Sequence, residues 1–142
     1  MGYYDIVDKV SKEFIKYDSL DVLLKESDIV SLHVNYHQGN HHFLGKEHFN
    51  TMKNAAVFIN TSRGGLVDEN ALLDSLITRK ISGAALDVLQ GEPEVLNNGL
   101  IKYAALQNNL IITPHVGGNT YESFEKTESF IFNKLISAIH GS

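Results

Sequence analysis

Short apolar runs, each followed at once by a polar or glycine-bearing stretch, constrain this chain more than any other feature: residues 3–6, 29–34, 55–60, 84–89 and 110–113. The middle three are nearly continuous in apolar character rather than alternating, which is how strands buried on both faces read. Between them lie helical stretches. Leu20, Leu23 and Leu24 follow the cap-like pair Asp18-Ser19, and Leu72, Leu73, Leu76 and Ile77 follow Asp68. Strand, helix, strand repeated in this way predicts an α/β fold with a parallel sheet, right-handed crossovers and flanking helices. At the end of the chain Asn119 is expected to cap a helix, with Glu122 completing a capping box. Phe124, Ile131, Leu135 and Ile139 then recur at helical spacing. That spacing predicts one long amphipathic helix over about 120–139, packed on the sheet or on a partner subunit rather than on a membrane.

The bulk composition narrows the class. A chain of 142 residues, 43% hydrophobic and 20% charged, suits one domain with a single core. No run approaches the length needed to cross a bilayer, and the first residues have neither the basic region nor the apolar run of a signal peptide. A cytoplasmic setting is expected. The absence of cysteine excludes disulfides, thiolate nucleophiles and Cys-based metal sites. A net charge of −5, with 12 scattered Lys and Arg, argues against nucleic acid as the main partner. His37, His41, His42 and His48 share a polar region but lack ordered ligand spacing, so no metal site is assigned to them.

In an open parallel sheet, ligands bind beyond the carboxyl ends of the strands, so the residues just after each apolar run matter most. Here they are Asp5; His33-Val34 and a polar loop; Thr61-Ser62-Arg63-Gly64-Gly65; Asp87 and then Gly91-Glu92-Pro93; and Pro114-His115-Val116-Gly117-Gly118. One Arg, one Glu and one His are thereby expected on the same sheet edge. Such a set suits reversible oxidation of a hydroxy acid: Arg63 to hold a carboxylate bidentately, His115 to exchange the hydroxyl proton, and Glu92 to pair with His115. Hydride acceptance falls to a nicotinamide, since no side chain performs it. Taken singly, each residue has a plainer reading. Arg63 could pair with a surface carboxylate, His115 could be a loop histidine, Glu92 a turn residue and Asp5 a strand-end aspartate.

Three segments in order, 59–69 with its Thr61-Ser62-Arg63-Gly64-Gly65 core, 83–88 with Glu92-Pro93, and 113–118, make the chain resemble the D-isomer-specific 2-hydroxy acid dehydrogenases, which include phosphoglycerate, D-lactate and glyoxylate/hydroxypyruvate enzymes. The resemblance runs nearly from end to end and implies a Rossmann-like parallel sheet. It implies that Arg63 binds substrate, Glu92 is the acid partner and His115 the general acid/base. Asp5 resembles the carboxylate that holds the adenosine ribose diol, which favours NAD because it would repel the 2′-phosphate of NADP. Val34, Asn40, Thr61, Ser62 and Asp87 match cofactor-lining positions, with Asp87 near the carboxamide, and Gly118 lies at the nicotinamide side.

Departures from the family pattern set further expectations. The glycine-rich fingerprint that cradles the pyrophosphate precedes the strand ending at Asp5, and the substrate domain precedes the fingerprint; neither is represented in this sequence. The chain therefore reads as a partial NAD-binding domain, expected to show little or no dehydrogenase activity alone. Asn35 stands where the family usually has proline, so the loop 35–42 is expected to sit differently against the cofactor. The fingerprint strand lies between the strand ending at Asp5 and the one over 29–34, so its loss is expected to be met by closing that gap or by a homodimer. The resemblance also allows an NAD-sensing, corepressor-like binding module of the same fold, or a truncated domain without a function of its own. The substrate within the 2-hydroxy/2-oxo acid class is not specified.

Overall fold

A computed structural model describes residues 1–7 and 11–140 of the chain. Its centre is a sheet of four parallel strands in the order β3 (Ile29–Leu32), β4 (Val57–Asn60), β5 (Gly83–Leu86), β6 (Leu110–Ile112). Pairing is in simple register, Val30 opposite Phe58, Phe58 opposite Ala84 and Ala84 opposite Leu110. Each crossover carries a helix: α2 (Lys46–Thr51), α3 (Glu69–Ile77) and α4 (Gly99–Ala104), with α1 (Leu20–Glu26) leading into β3. Ahead of these lie two short parallel strands, β1 (Gly2–Tyr3) and β2 (Ile15–Lys16), forming a sheet of their own. The chain ends in α5 (Tyr121–His140).

Local chemistry explains where the helices start. The Ser19 side chain accepts the Val22 amide to cap α1, and Asp68 accepts the Asn70 and Ala71 amides to cap α3, both as the sequence suggested. Helix α5 is a correction in detail. Thr120, not Asn119, supplies the cap, its Oγ1 accepting from the Ser123 amide at 3.2 Å. With the start one residue later, Glu122 falls out of the capping-box position. It instead meets its own amide and Thr120, and these bonds hold its carboxyl below the ordinary range. Helices α2 and α4 and strand β2 are not legible in the sequence; each is six residues or fewer, and the two helices bury only Phe49 and Leu100 respectively.

The strands are shorter than the apolar runs. The first ends at Tyr3 rather than residue 6, where Asp5 Oδ1 accepts the Val7 amide and bends the chain. The run from 55 becomes strand only at Val57, because Ala55 sits at φ 64° in a left-handed turn. Burial on both faces is also corrected. Val30, Leu32, Phe58, Asn60, Ala84 and Leu86 are buried while their neighbours along each strand are half-buried or exposed, Ile29 and Ile111 to 63%. The reason is that α1 to α4 form one layer. Leu24, Phe49, Leu72, Leu76 and Leu100 all join the same core against the same sheet face.

Two expectations about packing are not met within the chain. The gap does not close, because β1 spends its carbonyls on β2, with Tyr17 donating to Tyr3 and Ile15 to Met1, while β3 pairs with β4. Nor does α5 lie on the sheet: Phe124, Ile131, Leu135 and Ile139 stay 54–66% exposed. Among the described residues no helix is long and apolar enough to cross a membrane.

Candidate active site

Because β3 to β6 run the same way, the loops after them share one rim. The loop after β4 is built around Asn60, which is 1% exposed. Its Oδ1 accepts the Ser62 amide at 3.0 Å and its Nδ2 donates to the Arg63 carbonyl at 3.1 Å. Ser62 Oγ then donates to the Leu32 carbonyl at 2.8 Å, tying this loop to the end of β3. Gly64 touches the next loop. A Cβ there would lie 2.0 Å from the Leu89 carbonyl carbon and 2.3 Å from the Gln90 nitrogen, so no other residue fits.

The loop after β5 carries Glu92, and the loop after β6 carries His115. The Leu89 amide donates to Glu92 Oε1 at 2.6 Å, and Glu92 Oε2 meets His115 Nδ1 at 2.6 Å. Both oxygens of this carboxylate are therefore directed. His115 adopts φ 53°, a left-handed conformation that costs a non-glycine residue about 1–2 kcal/mol. Asp87 holds it there: the carboxylate accepts Thr113 Oγ1 and the Val116 amide on Oδ1 and the Gly117 amide on Oδ2. Burial alone would raise the Asp87 pKa. The bonds from Thr113, Val116 and Gly117, with the positive charge of a protonated His115 nearby, outweigh it and hold the group below the ordinary carboxylate value.

With Nδ1 engaged by Glu92, Nε2 is the other ring nitrogen through which the imidazole could meet a ligand. An open apolar cleft of about 870 Å³, walled by Leu89, Val95, Ile101 and Ile111, reaches Glu92 and His115. A polar pocket of about 430 Å³ lies over the ends of β3 and β4, lined by His33, Val34, Asn35, Tyr36, Thr61, Ser62 and Arg63. Beside His115, Gly118 has φ 114° and a Cβ there would find nothing nearer than Ser123 Oγ at 3.8 Å. The rim is thus bare where a flat ring could approach. These features fit the nicotinamide end of a dinucleotide.

The structure brings together Glu92 and His115 as a hydrogen-bonded pair and places Arg63 on the separate polar pocket over the ends of β3 and β4, its Nη1 donating to the Ser62 carbonyl at 2.6 Å. Val34, Thr61 and Ser62 line that same pocket. Asn40 is used within its own loop, donating to the Asn35 carbonyl and accepting the His37 amide, each at 2.8 Å. Asp87 spends its carboxylate on the His115 loop, and Asp5 sits exposed beyond β1, in the separate two-stranded sheet. The histidines near Asn40 have local partners: His41 stacks on His42 with ring centres 4.0 Å apart, and His42 Nε2 meets Gln90 Oε1 at 3.0 Å. That contact ties the loop containing Asn35 to the one carrying Glu92. Sequence reasoning gave no role to Asn60, which organises its own loop through Ser62 and Arg63, or to Glu69, Asn98 and Thr113, whose hydrogen bonds join segments far apart in the chain.

Residues 1–117 match the D-isomer specific 2-hydroxyacid dehydrogenase, NAD binding domain. A Staphylococcus aureus protein (strain MRSA252) named as a 2-hydroxyacid dehydrogenase is 38% identical over 126 residues, which are 89% of this chain and 38% of that protein. D-lactate dehydrogenase with NAD+ from Lactobacillus jensenii superposes with a TM-score of 0.83 at 31% identity, covering 99% of this chain and 46% of that one. The NAD-complexed D-isomer specific 2-hydroxyacid dehydrogenase of Lactobacillus delbrueckii ssp. bulgaricus gives 0.81 at 32% identity, covering 99% and 46%. The chain therefore spans less than half the length of the relatives it matches. With its Rossmann-like parallel sheet and its paired Glu92 and His115, the chain belongs to the D-isomer specific 2-hydroxyacid dehydrogenases, an NAD-binding oxidoreductase family.

Proposed function

We propose that this chain supplies the catalytic rim of an NAD-dependent oxidoreductase acting on the CH–OH group of D-2-hydroxy acids. The observation that carries the reading is the 2.6 Å contact between Glu92 Oε2 and His115 Nδ1, with the Leu89 amide fixing the other carboxylate oxygen. Arg63 holds the substrate carboxylate. His115 Nε2 takes the hydroxyl proton as the C2–O bond becomes a carbonyl, and returns it in the reverse direction. Glu92 stabilises the imidazolium that forms. NAD, when bound, accepts the hydride from C2. Val34, Thr61 and Ser62 wall the nicotinamide side together with the bare backbone at Gly118, Asp87 holds the loop beneath, and Asp5 addresses the adenosine ribose.

Alone, the chain binds cofactor weakly and turns over little, since most of the length of its relatives lies outside the matched segment. The reading includes a cytoplasmic setting and a homodimer, the second supported by the place of β3 at the edge of its sheet among the described residues and by the exposed apolar side chains of α5. Static light scattering tests the dimer, and a stable monomer at high concentration refutes it. For the chemistry, residues 1–117 are grafted in place of the matching segment of the Staphylococcus aureus relative. The chimera is expected to oxidise NADH with glyoxylate, hydroxypyruvate or pyruvate, and His115→Gln to lower kcat by roughly 10²- to 10⁴-fold. A folded chimera that binds NADH but turns over none of them, or is indifferent to His115→Gln, overturns the proposal.

A further inference from the structure

We propose that Glu69 is a positioning residue that sets the geometry of the Glu92–His115 pair, an inference resting on the acid–base role given to that pair above. Glu69 is the first residue of α3, directly after the Asp68 cap. Its Oε1 accepts the Gln90 amide at 2.6 Å, and its Oε2 accepts Asn98 Nδ2 at 2.6 Å. Gln90 lies next to Leu89, whose own amide fixes Glu92 Oε1, and Glu92 Oε2 in turn holds His115 Nδ1. A run of directed hydrogen bonds thus leads from the start of α3 to the imidazole.

The site chooses a carboxylate for a specific reason. Asn98 caps α4, its Oδ1 accepting the Leu100 amide at 2.8 Å, so its amide group cannot turn over without losing that cap. Both groups facing Glu69 are therefore donors. A side chain of the same shape with one acceptor and one donor, glutamine, satisfies Gln90 or Asn98 but not both. An acidic residue in the first turn also favours the helix dipole, yet that role needs only charge and would not direct the two oxygens at two different loops. From the other side the loop is pressed by Gly64, where a Cβ would stand 2.0 Å from the Leu89 carbonyl carbon. Glu69 and Gly64 together leave the Leu89–Gln90 backbone one position.

The test reads the tautomer of the neutral His115 ring from its nitrogen chemical shifts, which needs no turnover and no cofactor. A ring held by the Glu92 carboxylate keeps its proton on Nδ1. Glu92→Ala, the control, is expected to move the population to the Nε2–H form. Glu69→Gln is expected to raise the Nε2–H to Nδ1–H ratio several-fold, with the fold intact by circular dichroism. Asn98→Asp keeps the α4 cap and sets a carboxylate against Glu69, so it should raise the ratio as well and carries the test if Glu69→Gln does not fold. The double variant E69Q/N98D restores donor to acceptor, since the glutamine amide faces the new aspartate, and should return the ratio to that of the parent. A single variant at 69 or 98 that keeps the parental ratio while Glu92→Ala shifts it, or a double variant that does not recover, overturns the proposal. An unchanged ratio in Glu92→Ala removes the pair itself, and with it both the functional reading and this inference.

Discussion

Replacing Asp87 by asparagine should loosen the His115 loop by an amount the geometry bounds. Thr113 and Val116 donate to Oδ1 and Gly117 donates to Oδ2, the last at 2.6 Å. Asparagine with its oxygen in the Oδ1 position keeps two of these bonds and turns an NH2 group toward the Gly117 amide. Turned over, it loses two. The better orientation forfeits one hydrogen bond to a charge and leaves a partly buried N–H unpaired, in a site where Asp87 is 5% exposed. Those losses overlap, and together cost about 2–4 kcal/mol. The sign of the pH dependence follows from the lowered pKa of Asp87. Its stabilisation is complete above the unfolded-state carboxylate value, about 3.9, and is lost as pH falls through the lower folded-state value. Urea unfolding of Asp87→Asn and its parent should show the full gap at neutral pH, and that gap should narrow as pH falls below the unfolded-state value, about 3.9. A gap under about 0.5 kcal/mol at neutral pH, the size of an ordinary surface change, or one that widens on acidification, refutes the reasoning.

Gly64→Ala forces the Leu89–Gln90 backbone away, and should destabilise by about 2–4 kcal/mol in urea unfolding; a neutral result means the two loops are not in contact. Phe58→Ala removes a ring that is 0% exposed and meets Phe49 edge-on at 5.4 Å, and should cost about 3–5 kcal/mol. A loss well below that would mean the helix layer is looser than described. Thr120→Ala should weaken the start of α5 by about 1 kcal/mol in amide exchange while Asn119→Ala changes little; the reverse order would return the cap to Asn119.

What the sequence disclosed follows from which interactions are local. Ser19 and Asp68 could be read as caps because a cap and its amides lie within three residues, and the runs around Val30, Phe58 and Ala84 could be read as strands because burial repeats along them. Helices α2 and α4 escaped notice because one buried residue apiece leaves no period to detect. Burial on both faces was misjudged since Ile29, Val57 and Ile59 are as apolar as a covered face requires, and apolarity does not say whether a second layer is present in the chain. In the candidate site, Arg63, Glu92 and His115 stood out by residue type and by place after a strand. Asp87 stands out by its place too, but as a cofactor-lining position rather than as the group that holds the His115 loop, while Asn60 and Glu69 carry no such signal. Asp87 and Glu69 act through bonds to Gly117 and Gln90, pairs that only the sheet's parallel register and the loops' contact bring within reach, whereas Asn60 reaches Arg63 across three residues of its own loop.

Mapping NADH onto the chain by amide chemical shifts at millimolar cofactor bears most directly on the account. Changes are expected at Asp5 and in the loops at 33–36, 61–65, 87–92 and 113–118, with the His115 ring among the largest. Changes gathered instead on the outer surfaces of α3 and α4, with those four loops silent, would contradict it.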